Sequence, residues 1–301
     1  MGVARRALAA YRHRFSPKKF TQHQLFACLV LKNFLKTDYR GVVKHLQDCP
    51  ALCDAIELKS VPHFTTLQKA SRRLLASCQA QRLLDATVKQ HLPRRKRVPS
   101  AAVDSTGLEC GSASAYFAQR RRYGKNPGKK VVCHRYPKLG VVSDTNDHFI
   151  YAFHAGRGPR PDVDELERLI GQAQQRVKIQ RLVADAGYDS EPNHRFARQQ
   201  HGIRTIIPPR AGRPTDKPAT GRYRRLMQTR FDTEAYHERC QVETVMSMMK
   251  RRQGSYVRGM SYHSQCRDLR LIALTHNIMI LLLFKVFYRA SCGWFHTAIP
   301  G

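Results

Sequence analysis

Acidic residues are scarce in this 301-residue chain: 22 Asp and Glu stand against 53 Lys and Arg, a formal net charge of +31. A surface that basic repels itself unless a polyanion neutralises it, and nucleic acid is the usual partner. At 42% hydrophobic residues the sequence is no disordered basic tail and can bury a core. Paired Cys-x-x-Cys spacing is missing among the nine cysteines, at 28, 49, 53, 78, 110, 133, 240, 266 and 292. The odd count speaks against a disulfide framework. So does MGVARRALAAYRHRF, which has no sustained apolar run, cleavage site or myristoylation pattern. Cys49 and Cys53 could share a helix face as metal ligands, but no second Cys or His pair stands at matching spacing. Scattered reduced thiols in a cytoplasmic, nucleoid-associated protein are expected. Nor is there an uninterrupted membrane-length apolar run. Arg270, His276, Asn277 and Lys285 break Leu269–Tyr288, which reads as a buried C-terminal helix and not as a membrane span.

Internal repeats are absent too, but the texture shifts along the chain. Residues 20–90 read as helical, with apolar positions at helical spacing through Leu25, Cys28, Leu29, Leu31 and Leu35 and again through Leu67, Leu74 and Leu75. Ser60-Val61-Pro62 looks like a helix start, predicting a helix from His63 to about Leu84. This region is either a small DNA-binding unit or a helical packing or dimerisation layer. The basic run 91–99 reads as a linker. A strand Val98–Val103 should end at Asp104. Val131–Cys133 with Leu139–Val142, and Phe149–His154, suggest antiparallel strands around the turn 143–147. Asp162 is placed to cap a helix over 163–177. A strand over 181–184 should end at Asp185. A helix over about 192–200, a strand 203–207, a polar stretch, and helices over about 232–252 and 266–288 complete the order. That order predicts an α/β, ribonuclease-H-like mixed sheet flanked by helices and preceded by a small all-α region. The expected divisions are 1–95 (helical, DNA-end binding), 96–288 (catalytic core) and 289–301 (tail).

The densest chemistry lies at Tyr236, Arg239, Glu243 and Lys250, which on one helix would form a stripe about 60° wide. Val242, Val245, Met248 and Met249 fall opposite, so one side can be core. The other presents a hydroxyl, a guanidinium, a carboxylate and an ammonium, which suits a metal ion held beside a phosphodiester. A solvated amphipathic helix would show the same pattern. Asp104 and Asp185 add two carboxylates at strand ends, where a divalent ion has fixed backbone on one side and open space on the other. Mg²⁺ takes a few carboxylates plus water and phosphate oxygens, and two such ions can drive phosphoryl transfer.

The spaced set Tyr236-x2-Arg239-x3-Glu243-x6-Lys250 resembles the Tyr–Arg–Glu–Lys motif of bacterial insertion-sequence transposases of the DDE class. Val103-Asp104-Ser105-Thr106-Gly107 and Ala184-Asp185-Ala186-Gly187-Tyr188-Asp189 resemble that family's first and second catalytic strands. The resemblance covers about residues 20–285. It implies Asp104, Asp185 and Glu243 as catalytic ligands of two Mg²⁺ ions, with Mn²⁺ an expected substitute. It implies Tyr236, Arg239 and Lys250 as contacts to DNA. The implied partners are double-stranded DNA, at transposon ends and target, and further copies of the chain assembled on it. A metal-dependent nuclease on the same fold and an inactive DNA-binding relic are the rival readings.

Other polar residues carry blander expectations. Asp189 should cap the turn after the second strand, and Asp144 and Asp147 fit turn chemistry. Tyr116, Phe117 and Tyr123 among Arg120, Arg121 and Arg122 could stack on bases or anchor a loop. Asn277 is equally a satisfied core amide or a site residue, and Trp294 is assigned nothing.

Overall fold

The computed structural model describes residues 1–92, 97–110, 135–210 and 219–294. The expected strand 131–133 and the aromatic and arginine cluster at 116–123 lie outside the described residues. The chain opens with helices α1 (Gly2–Ala7), α2 (Gln22–Phe34), α3 (Tyr39–Asp48), α4 (Pro50–Ala55), α5 (Phe64–Leu74) and α6 (Ser77–His91). Local signals start several of them. Thr21 and Gln24 form a reciprocal capping box on α2, Asp38 accepts the Gly41 N–H at 2.7 Å on α3, and Pro50 occupies the first turn of α4.

The single helix expected over 63–84 is two helices, broken after Leu75. Leu67, Ala70 and Leu74 are buried on α5, and Ala80, Leu83, Leu84 and Thr87 on α6. At about 100° per residue these two sets would lie about 120° apart around one continuous helix. The break turns the second set back to the same core.

The sheet is five-stranded, ordered β4–β3–β1–β5–β6, from β1 (Arg97–Gly107), β3 (Tyr136–Asp144), β4 (Ile150–Gly158), β5 (Lys178–Ala184) and β6 (Arg204–Ile206). β3 runs antiparallel to both β1 and β4, whereas β5 runs parallel to β1 and to β6. This is the expected ribonuclease-H-like mixed sheet with flanking helices and a helical N-terminal region. After β4 come a 3₁₀ turn (Asp162–Glu165), α7 (Leu166–Gln174) and, past β5, α8 (Glu191–Arg195) with a π-helical turn to Gln200. Then follow α9 (Arg222–Thr229), α10 (Thr233–His237), α11 (Cys240–Gln253) and α12 (Tyr262–Trp294). A two-stranded ribbon pairs β2 (Glu109–Cys110) with β7 (Tyr256–Val257).

The helices and the sheet share one apolar core, whose largest fully buried side chains include Tyr151, Tyr188, Phe149 and Phe153. Arg176 fastens the N-terminal helices to it, donating to Asp85 at 2.6 Å, to Gln81 at 2.7 Å and to the Tyr151 carbonyl at 3.3 Å. Asn277 on α12 is a fully satisfied core amide. It accepts the Ile150 N–H at 2.9 Å and donates to the Ile150 carbonyl at 2.8 Å and to Thr87 Oγ1 at 3.1 Å. Arg198 donates to the Thr205 carbonyl of β6 at 2.6 Å. No helix among the described residues is long and apolar enough to cross a membrane.

Beside Asn277, the buried His276 bonds through Nε2 to the His148 carbonyl at 2.8 Å, which fixes the proton on that nitrogen. Burial lowers its pKa to about 4. Unfolded, the ring takes a proton below about 6.5; folded, it resists protonation until about 4. Stability from this group is therefore full at neutral pH and is lost as pH falls, by about 3 kcal/mol across that window. His276→Gln should flatten the acid limb of a melting-temperature profile between pH 7 and 4. An unchanged limb would clear His276.

Candidate active site

Backbone register brings two of the sequence-predicted carboxylates together. β1 and β5 pair in parallel up to Val103 opposite Ala184. Asp104 and Asp185 are the next residue on each strand, so they stand side by side where the parallel ladder stops. β1 does not end at Asp104 as expected; it continues to Gly107, paired with β3 alone, with Asp104 opposite Val141. Asp185 does end its strand, and its Oδ1 accepts the Gly187 N–H at 2.9 Å. Asp104 Oδ1 accepts the Ser105 N–H at 2.7 Å. Burial above all, and then the neighbouring Asp185 charge, raises the Asp104 pKa to about 6.

Behind this pair lies a buried charge network that pattern reading missed. Asp162 does not cap the following helix; it opens the 3₁₀ turn and accepts from the Ser105 hydroxyl. Its other partner is Lys138 of β3, whose Nζ lies 2.6 Å from Asp162 Oδ1 and 3.5 Å from Glu165 Oε1 and donates to the Arg160 carbonyl at 2.6 Å. The Lys138 and Glu165 side chains are each only 4% exposed. Glu165 in turn lies 3.4 Å from His154 Nδ1, and His154 Nε2 meets Arg168 at 2.9 Å. Gly140 makes room for this approach, since a Cβ there would sit 3.1 Å from Glu165 Oε2. Tyr188 is buried beside the same group, its phenol pushed up by burial and then by the Asp162 and Asp104 charges. The available signal was a lysine opening the apolar run 139–142, a position that demands a buried partner.

The helix stripe is divided between two helices. Tyr236 lies on α10, Arg239 at the N-cap of α11, and Glu243 and Lys250 on α11. Tight bonds from the Arg239 N–H to the Tyr236 carbonyl (2.9 Å) and from Val242 to Arg239 (3.1 Å) carry the chain across the joint. Glu238 ties that joint to the sheet. It pairs with Arg181 of β5, which also reaches Ser100 Oγ at 3.2 Å, and it accepts from Thr145 Oγ1 at 3.3 Å. Val242, Val245, Met246 and Met249 are buried, leaving Glu243 exposed. Glu243 forms an ion pair with Arg239 at 2.6 Å, and Arg239 also favours the charged form of Asp104. Among the described residues, no group of three His, Cys, Asp or Glu is arranged to hold a metal. Asp104 and Asp185 are thus neighbours, while Glu243 faces its own helix's arginine.

Asp144 follows turn chemistry, accepting the Asn146 and Asp147 N–H groups at 2.6 and 2.8 Å. The helix after Asp189 is capped by Ser190, which accepts the Asn193 N–H at 3.2 Å. The Asp189 side chain is buried. Burial works against its charge, but His194, Arg224 and the Arg210 N–H together hold its pKa low. Arg224 belongs to α9, a helix absent from the expectations because its cap is distant in sequence. Glu191 accepts the Tyr223 and Arg224 N–H groups at 3.1 Å.

No curated protein matches this chain. Among solved structures, it is similar to the Mos1 mariner paired-end complex with Mn at 12% identity and a TM-score of 0.24, covering 82% of this chain and 83% of that one. For a pre-cleavage Mos1 transpososome the identity is 13% and the TM-score 0.20, covering 91% and 81%. Likeness this low has no bearing on the site. The family described as "Transposase DDE domain" matches residues 99–278, a span running from within β1 through β7 and into the first half of α12. More than half of the chain is matched, and the protein belongs to the DDE transposase family.

Proposed function

We propose that this chain is a bacterial insertion-sequence transposase that binds the terminal inverted repeats of its element, cuts there, and joins the freed end to target DNA. The observation that supports this best is the pairing of Asp104 with Asp185 at the end of a shared parallel ladder, next to a helix bearing Arg239 and Glu243. The donors are carboxylate oxygens, which suits Mg²⁺, with Mn²⁺ as a substitute. Two like charges held together in a half-buried place also favour a divalent cation over two free carboxylates. Asp104 and Asp185 would hold the metal, and Glu243 would join them on leaving Arg239. Two bound ions supply an activated water or 3′-hydroxyl and a stabilised leaving oxygen.

The remaining work falls to the chain's own side chains. Arg239, once released, is free to take a backbone phosphate as a fork, with Tyr236 and Lys250 flanking it. Ser105, its hydroxyl bonded to Asp162, holds the Asp104 carboxylate through its N–H. Helices within 1–95 are proposed to read the DNA end, and two or more copies to pair the two ends.

The test is cleavage of a labelled duplex carrying the flanking genomic repeat, with Mg²⁺ and with EDTA, for parent and Glu243→Gln. Metal-dependent cutting at the repeat end, lost in the variant, is expected. Cutting without joined product would leave a nuclease. Tight binding with no cutting would leave a DNA-binding relic, and full cutting by the variant would remove Glu243 from the metal set.

A further inference from the structure

A second concentration of cationic side chains lies away from the carboxylates. The end of α2 and the start of α3 face the segment between β7 and α12 across a cavity of about 500 Å³. Lys32, Tyr39, Arg72, Arg258, Arg267 and Asp268 are among its lining residues, and Lys32, Arg258 and Asp268 also line a smaller adjoining cavity.

Lys32 is the unusual member. It is only 5% exposed, and lysine is almost never buried without a partner. Yet no hydrogen bond or ion pair joins its ammonium to any described residue. Its ammonium lies over the face of Tyr39, 5.0 Å from the ring centre, and burial opposes its charge while those of Asp268 and Asp38 favour it. The carboxylates present are already engaged with backbone: Asp268 Oδ2 accepts the Gly259 N–H at 2.9 Å and Asp38 Oδ1 that of Gly41 at 2.7 Å. Arg258 donates only to neutral groups, the Lys36 carbonyl at 2.9 Å and the Tyr256 hydroxyl at 2.7 Å. Arg72 and Arg267 form no ion pair among the described residues. Lys32, Arg72, Arg258 and Arg267 thus outnumber the two carboxylates, Asp38 and Asp268, around a space large enough for a sugar–phosphate unit.

The cavity lies between α2 and the segment after β7, and the smaller adjoining one reaches Gln253 at the close of α11, the helix that carries Glu243 and Lys250. Asn33 of α2 donates to Gln253 at the close of α11, tying the two sides together.

We propose that this cavity seats a backbone phosphate of the DNA strand that the active site engages, with Arg258 and Arg267 as forked donors and Lys32 as the buried counter-charge. The assignment rests on the transposase reading above. A point charge at the back and planar guanidiniums at the rim suit a phosphodiester better than a carboxylate-bearing or neutral ligand.

Equilibrium binding of the labelled repeat duplex to the full chain, across a salt series in EDTA, tests it. The proteins are parent, Lys32→Met, Arg258→Gln/Arg267→Gln, and Lys44→Gln as a loss of charge elsewhere. The double variant should bind about tenfold more weakly at 0.15 M salt, with its log–log salt slope smaller by about one unit. Lys32→Met should follow it, and Lys44→Gln should move much less. If Lys32→Met melts far below the parent, the double variant at the rim carries the test. Unchanged affinity and slope in variants of a parent that binds would overturn the proposal. So would loss of inorganic pyrophosphate binding with duplex binding intact, which would assign the cavity to a free phosphate compound. A parent that binds no duplex removes the transposase reading, and this proposal with it.

Discussion

Asp104→Asn is expected to cut DNA at least about a thousandfold more slowly, roughly 4 kcal/mol of lost transition-state stabilisation, while the folded protein becomes harder to melt. The two effects share one cause. Asp104 is held where burial and Asp185 disfavour its charge, raising its pKa to about 6. At neutral pH the metal-free protein bears that cost, about 1–2 kcal/mol after allowance for solvent screening. An amide removes the charge and keeps the acceptor for the Ser105 N–H at 2.7 Å. The folded carboxyl gains a proton sooner than the unfolded one, so acidification through pH 6 towards 4 relieves the parent and leaves the variant unaffected. The melting-temperature gap in EDTA should therefore be widest at pH 7 and close towards pH 4. Parent-like cutting would remove Asp104 from the reaction, and a variant that melts earlier at pH 7 would refute the electrostatic account.

The second large effect should come from a residue with no assigned part in the chemistry. Lys138→Met should cost about 3–5 kcal/mol, because it takes the ammonium from the buried Glu165 and leaves the part-exposed Asp162 with the Ser105 hydroxyl alone. For a chain of this size that lowers the melting temperature by about 10 °C. Adding Glu165→Gln should recover part of the loss, since the neutral amide no longer needs the ammonium. Thermal melts of the single and double variants give the coupling directly. Cutting should also fall, because Asp162 accepts from the hydroxyl of Ser105, next to Asp104. A Lys138→Met protein that melts with the parent would show that the network carries no stability.

These two residues mark how far the sequence could be read. Asp104 and Asp185 were legible because strands are local and each aspartate follows an apolar run. The parallel order then places the ends of β1 and β5 together. Lys138, Asp162 and Glu165 were not, since their contacts join positions tens of residues apart and only the folded sheet brings them together. Asp162 was misread for the same reason: an aspartate before a helical run looks like a cap, and nothing nearby reveals Ser105. Asp189 likewise owes its role to Arg224 of a helix that Glu191 starts from across the fold. The helix break at Leu75 was within reach, because the leucine stripe changes phase there. The joint at Glu238 was not, because its cause is Arg181 of β5.

Asn277 holds a further consequence. β4 is the outermost strand of the sheet, and its exposed backbone groups would ordinarily be free to accept another strand. The Asn277 amide meets both the N–H and the carbonyl of Ile150, as a neighbouring peptide would. Arg176 takes the Tyr151 carbonyl, and at the opposite border Arg198 takes the Thr205 carbonyl of the three-residue β6. Both margins of the sheet are thus blunted by side chains, which protects against edge-to-edge aggregation. Where these side chains sit, a second strand finds no free backbone group with which to extend the sheet.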